Sequence, residues 1–269
     1  MFMVLSPHNG LSYKYQIPSN SDGFTFVCFN PLTGDKAMWE NGIGERLTRQ
    51  GHGLLTWNLR GQIDSPFCSS EIHQDNIISD SICLLKKVKP QNPIFIGMSI
   101  GGLYATKVHL NKNGYLCRGL ILINTLRNIG PRLSWINAAL LRLVETGGLD
   151  LLRDVYSPFL FGEKWQKQNR KSFLKSSYYT PIKKNDGVWH LLKAGENTTW
   201  DVNWNKIDVP VLNITGLQDQ IFRNDEVITE LLAQLQDVKA IEYVDAGHMI
   251  PIETPKQLAH DILKFTKRL

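Results

Sequence analysis

Cysteine is scarce in this chain of 269 residues. The four, Cys28, Cys68, Cys83 and Cys117, form no C-x-x-C pair and no His/Cys cluster at metal-ligand spacing. That excludes a disulfide-stapled scaffold and a zinc-ribbon site, and no metal is expected. Cys28 falls in an apolar run that reads as a buried strand, where a free thiol behaves as a small hydrophobe. All four read as reduced, which favours the cytoplasm. No apolar run approaches the roughly 20 residues that span a bilayer, so no stable membrane insertion is expected. Residues 1–10 lack the charged region and cleavable apolar core of a secretory signal. Charge of one sign does not dominate either: 30 Lys and Arg stand against 25 Asp and Glu. The basic residues are scattered, apart from small clusters at Lys86-Lys87-Lys89 and Lys183-Lys184, and make no case for a nucleic-acid partner. Repeats and low-complexity segments are absent. What remains is an ordinary globular composition, 42% hydrophobic and 20% charged, enough for one large α/β domain or one such domain with an insertion.

Strand and helix patterns alternate along the chain. Residues 11–17 and 23–29 read as strands joined by a Pro/Ser/Asn/Asp/Gly turn. Residues 39–49 have helical spacing and 53–57 form a strand. Apolar residues at Ile77, Ile78, Ile82, Leu85 and Val88 predict a helix over 71–88. Another strand and helix surround Ser99, and residues 119–124 form a buried strand. From residue 126 to 204 the alternation stops, and helical pieces rich in aromatics take over. It resumes with strands at 209–216 and 239–244 and helices at 224–235 and 255–269, the last with Thr254 as its cap and Pro255 in first position. Such alternation implies crossover connections and a mostly parallel sheet covered on both faces. The expected organisation is a core of residues 1–125 and 205–269 with a helical lid, 126–204, over the carboxyl edge of the sheet, where ligands bind in open α/β sheets.

The most informative residues are Gly97-Met98-Ser99-Ile100-Gly101, a G-x-S-x-G pattern between a strand and a helix. In that context the turn forces the serine into a strained conformation and lifts its hydroxyl above the sheet edge. A Cβ at Gly97 or Gly101 would collide with the neighbouring strand or helix. A serine hydroxyl is a poor nucleophile by itself; it needs a general base, and the base needs an orienting carboxylate. In this architecture the acid and then the histidine follow the serine along the chain. Asp219 comes just after the strand that ends at Gly216, and His248 follows the last strand. The position after the preceding strand is taken by Asn124 and Thr125, which cannot supply a carboxylate. Of the other histidines, His8 lies near the start; His73, His109 and His260 fall in helices away from the edge. His52 precedes its strand, and His190 lies in the lid.

A developing oxyanion needs two fixed donors. The N–H of Ile100, next after Ser99, supplies one. Pro31 has no N–H, so Leu32 is the candidate for the other. Asn30 braces this loop or meets the substrate. Trp189 and Trp200 are the lid aromatics expected at the substrate, although most lid aromatics simply hold a lid together. Arg127, Arg132, Lys183 and Lys184 read as solvated, the alternative being that they steer an acidic substrate.

These residues resemble the α/β-hydrolase superfamily over nearly the whole chain. Ser99, Asp219 and His248 match its triad, and residues 246–255 its histidine loop and the start of its final helix. Residues 58–66 look like its Asp-x-Arg-Gly-x-Gly-x-Ser-Pro loop, with Asn58 in place of the aspartate and Asp64 in place of the second glycine. Asn30-Pro31-Leu32, with Asp35 and Trp39, is similar to the loop of 3-oxoadipate enol-lactonase-like members. The resemblance implies an α/β-hydrolase fold and a cofactor-free enzyme acting on a small-molecule ester, lactone or thioester. Carbon–carbon bond hydrolysis, lyase or acyl-transfer chemistry, and a non-catalytic binding protein are the alternatives on the same fold. A homodimer stays open.

Overall fold

The computed structural model describes residues 2–6, 9–175 and 177–269; His8 lies outside them. Its elements in chain order begin with β1 (Phe2–Ser6), β2 (Asn9–Gln16) and β3 (Thr25–Phe29). A helical stretch follows, made of α1 (Ala37–Trp39), a π-helical turn at Glu40–Gly44 and α2 (Glu45–Thr48). Next come β4 (Gly53–Trp57), α3 (Gln74–Val88), β5 (Pro93–Met98), α4 (Ile100–Leu110) and β6 (Gly119–Ile123). Helices α5 (Pro131–Leu160), α6 (Glu163–Asn169) and α7 (Gly187–Glu196) separate β6 from β7 (Val211–Gly216). The chain closes with α8 (Asp225–Leu232), β8 (Val238–Tyr243), α9 (Ile250–Glu253) and α10 (Pro255–Thr266).

The strands lie in the order β1-β2-β4-β3-β5-β6-β7-β8. β2 is antiparallel to both its neighbours, and every pair from β4 to β8 is parallel. Alternation along fully buried strands divides the core in two. Phe26 and Cys28 of β3, with Ile94, Ile96 and Met98 of β5, face Trp39, Ile43, Leu258, Ile262 and Phe265. Val27, Phe29 and Phe95 face the other way, against Leu84, Leu103 and Tyr104 of α3 and α4. Each fully buried side chain of this size contributes about 1.5–3 kcal/mol by leaving water.

Three differences from the sequence reading have local causes. Strand β1 was not expected; it pairs antiparallel with β2, from Phe2 opposite Ser12 to Ser6 opposite Asn9. Helix α3 begins at Gln74, because Ser69–Glu71 form a separate 3-10 turn ahead of it. Thr254 makes no side-chain cap for α10; its hydroxyl donates back to the Ile250 carbonyl at 3.3 Å, because α9 runs up to it. Between β6 and β7 the elements are all helical. α5 is two helices joined at Gly147-Gly148, where Gly148 has φ 70 and ψ −164, a conformation almost confined to glycine. Among the described residues, no helix is long and apolar enough to cross a membrane.

Candidate active site

Ser99 sits between β5 and α4 with φ 57 and ψ −127, a left-handed position that a non-glycine residue holds only when its surroundings impose it. Here the N–H of Ser99 donates to the Ile123 carbonyl at 2.8 Å, and its carbonyl accepts from Thr125 Oγ1 at 3.0 Å. The flanking glycines permit the turn: a Cβ on Gly97 would run into the backbone of Gly101 and Gly102, and one on Gly101 into the Phe29 carbonyl.

Asp219 and His248, each just past the end of a parallel strand, meet. His248 Nδ1 lies 2.6 Å from Asp219 Oδ2, and both residues are only 4% exposed. The other carboxylate oxygen accepts from the N–H groups of Ile221 and Phe222, each at 3.0 Å. Burial works to raise the Asp219 carboxyl, but His248 and these two N–H groups outweigh it and hold it below the usual range. The Phe222 ring packs on the imidazole with centroids 4.7 Å apart.

The hydroxyl of Ser99 is engaged elsewhere. Arg127 Nη2 donates to Ser99 Oγ, and among the described residues no hydrogen bond joins Ser99 Oγ to His248. Arg127 is 4% exposed, so the expectation that it is solvated is corrected. Its guanidinium carbon lies over two rings, 4.5 Å from the centroid of Trp200 and 4.6 Å from that of Phe222. Burial lowers its pKa to about 10, against the opposing pull of Asp219, so it is charged at neutral pH. Arg132, Lys183 and Lys184 are exposed.

Ser99, Ile100, Arg127 and His248 line one cavity of about 540 Å³, together with Pro31, Leu32, Trp200, Phe222 and residues of α5 such as Leu140, Leu152, Tyr156 and Leu160. The backbone N–H groups of Leu32 and Ile100 have no protein acceptor among the described residues. The loop carrying Leu32 is held from beneath by Gln62, whose Nε2 donates to the Pro31 and Leu32 carbonyls at 2.8 and 3.1 Å. Asn30 is not at the cavity. Its amide donates to the Trp57 carbonyl and to Gln62 Oε1, and its oxygen accepts from Trp39 Nε1, so every contact braces the loop. Trp200 is on the cavity wall as expected. Trp189 is not; its Nε1 donates to Glu145 at 2.9 Å, which ties α7 to α5.

The model of the family described as alpha/beta hydrolase fold matches residues 25–255. The chain belongs to that family. No curated protein matches it, but solved structures do. An alpha/beta hydrolase enzyme from a Medee basin deep-sea metagenome library superposes with TM-score 0.84 at 18% identity, over 99% of this chain and 97% of its own. An esterase from Exiguobacterium antarcticum gives 0.80 at 18% identity, over 99% and 98%. The enol-lactonase from Burkholderia xenovorans gives 0.75 at 20% identity, over 96% and 97%. At such identities the likeness carries the fold alone.

Within this α/β-hydrolase the sequence reading did not foresee the contacts that three groups make around the site. Arg127 is one. The second is Glu253, whose carboxylate accepts from the N–H groups of Gly162, Gly247 and Met249 at 2.7–3.1 Å and so gathers the loop that carries His248. Asn124 is the third: its amide donates to the Gly247 and His248 carbonyls, and its oxygen accepts from Gly216 N–H. A signal existed for Asn124, a polar residue directly after a buried strand. Nothing local marked the other two.

Proposed function

We propose that the protein is a serine hydrolase that cleaves a carboxylic ester, lactone or thioester of a small molecule, with Ser99 as nucleophile. The observation that carries this is a strained serine at a strand-to-helix turn that shares one cavity with a buried Asp219–His248 pair. The family match supports hydrolysis, and an esterase and an enol-lactonase among the similar folds favour ester and lactone substrates.

In this reading the Ser99 hydroxyl turns from Arg127 towards His248 Nε2, gives it the proton and attacks the carbonyl carbon. Asp219 holds the imidazole through Nδ1 and stabilises its charged form. The oxygen of the tetrahedral intermediate takes the free N–H groups of Leu32 and Ile100. The imidazolium then protonates the leaving group, and an acyl-enzyme remains on Ser99. Water, deprotonated by His248, attacks that ester in turn; the acid leaves and Ser99 recovers its proton. Residues 126–204 act as the lid that closes the cavity and chooses the substrate.

Ser99→Ala is expected to lower kcat by about 10⁴–10⁶-fold, the range of triad knockouts, with the circular-dichroism spectrum unchanged. A panel of short aryl esters, lactones and acyl thioesters reads the activity, and a fluorophosphonate should label Ser99. Full activity in Ser99→Ala, or labelling at another residue, would overturn the mechanism.

A further inference from the structure

We propose that Arg127 recognises a carboxylate on the substrate, within a few bonds of the scissile carbonyl, and that this pairing draws the guanidinium off Ser99. The inference rests on the serine-hydrolase reading for the bond that is cleaved, though not for the acid that is bound.

A buried guanidinium ordinarily has a carboxylate partner, because an unpaired charge in a poorly hydrated site is costly. Two other arginines show the ordinary solution. Arg60, also buried, makes two bonds of 2.6 Å to Asp80. Arg153, on the wall of the same cavity, pairs with Asp150 and Asp154. Among the described residues Arg127 has no such partner. Its sole hydrogen-bond acceptor among the described residues is the neutral hydroxyl of Ser99, and its buried Nε has none. The carboxylate of Asp219 is already committed, one oxygen to His248 and the other to two N–H groups. Trp200 and Phe222 each set a ring against the guanidinium carbon and contribute cation–π attraction, but a ring does not supply the acceptors that the N–H donors need.

The missing group is therefore an anion that comes and goes with the cavity's contents. A planar carboxylate fits a planar fork that offers paired N–H donors. Its place along the substrate is constrained, because the same guanidinium touches the nucleophile; an acid far down a chain would lie elsewhere in the cavity. Pairing also changes Ser99. While Arg127 donates to Oγ, the cation holds a lone pair needed for attack. A carboxylate competes for the guanidinium far better than a neutral hydroxyl does, and Ser99 is then free to donate to His248. Acidic substrates thus assemble the reactive arrangement, and neutral ones meet a restrained serine.

The test compares O-acetylglycolate with its neutral amide, 2-acetoxyacetamide, by pH-stat titration. In the wild type kcat/KM should favour the acid by about tenfold or more, the scale of one charge-assisted pair. Arg127→Met should bring the ratio towards one, and Arg127→Lys should keep part of it. A ratio near one in the wild type overturns the proposal. So does a ratio that survives Arg127→Met while both rates fall together, since Arg127 would then serve all substrates alike. Should Arg127→Met fail to fold, the wild-type ratio and Arg127→Lys decide. If neither ester is cleaved, it is the reading of the bond that fails, and binding decides the rest. Calorimetric titration should then show benzoate bound about tenfold or more tighter than benzamide, with the difference lost in the Arg127 variants; equal binding overturns the proposal.

Discussion

Asn58 and Asp64 stand where the resembling family loop has an aspartate and a glycine, and in the fold the two departures answer each other. Asn58 Nδ2 donates to Asp64 Oδ1 at 2.6 Å, and Lys36 reaches both residues, its N–H donating to Asn58 and its Nζ to Asp64. Sequence comparison sees two losses at these positions, whereas the structure shows one exchange. Glu253 shows the same gap between letters and contacts. It reads as one more acid in a loop, yet its carboxylate fastens three N–H groups around His248, because Gly162 arrives from a helical segment 91 residues away. Replacing it with alanine leaves those donors without an acceptor and lets the loop shift. The expected cost is about 1–3 kcal/mol in urea unfolding. In a Ser99-dependent ester assay, kcat should fall by about 10–100-fold with little change in KM, as misplacement of a general base does. Glu253→Gln, which retains an acceptor oxygen, should recover part of both. An alanine variant with unaltered kcat would show that the loop holds without it.

At the scale of elements, α5 decides the shape of the cavity. Residues before its glycine break, Leu133, Asn137 and Leu140, and residues after it, Leu152, Tyr156 and Leu160, line the same space. A straight helix could not turn both stretches inwards. Gly148 makes the break, with φ 70 and with the Thr180 carbonyl where a Cβ would go. Gly148→Ala is expected to cost about 1–3 kcal/mol. It should raise KM more than it lowers kcat, because the wall moves while Ser99 and His248 stay on the sheet. Thermal unfolding and steady-state kinetics on one aryl ester check this, and a variant with wild-type KM counts against α5 as the shaping element. The strands of the core were legible because their apolar runs are short and end in turn residues. The break in α5 was not, since a Gly-Gly pair in a helical run fixes neither the direction nor the size of a bend.

Across the whole molecule, carboxylates held by the fold set its acid limit. Asp219 titrates below the usual carboxylate range, and Asp64, with bonds from Ser12, Asn58 and Lys36 prevailing over its desolvation, titrates at about 2. A carboxyl whose folded pKa is depressed stabilises the native state above its unfolded value of about 3.9, and that stabilisation disappears as pH falls through the folded value. The share of stability that these two carboxylates carry should therefore be level near neutrality and decline below about pH 4. Urea titrations at several pH values check this, and Asp219→Asn should show a shallower acid decline than the wild type. A wild-type curve flat down to pH 3 would contradict the assignment.

The amino-acid sequence by itself determined the class of the fold, the alternation of strands and helices, and the turn that presents Ser99. These follow from periodicity and from glycine, which act over a few residues. It also placed Asp219 and His248 at one edge, because strand ends in a parallel sheet converge there whatever the details. Tertiary structure alone decided who holds the Ser99 hydroxyl. A guanidinium is solvated or buried according to what packs upon it. The groups around Arg127, namely Ser99, Trp200 and the Asp219–Phe222 loop, come from three separate segments whose meeting no local pattern records.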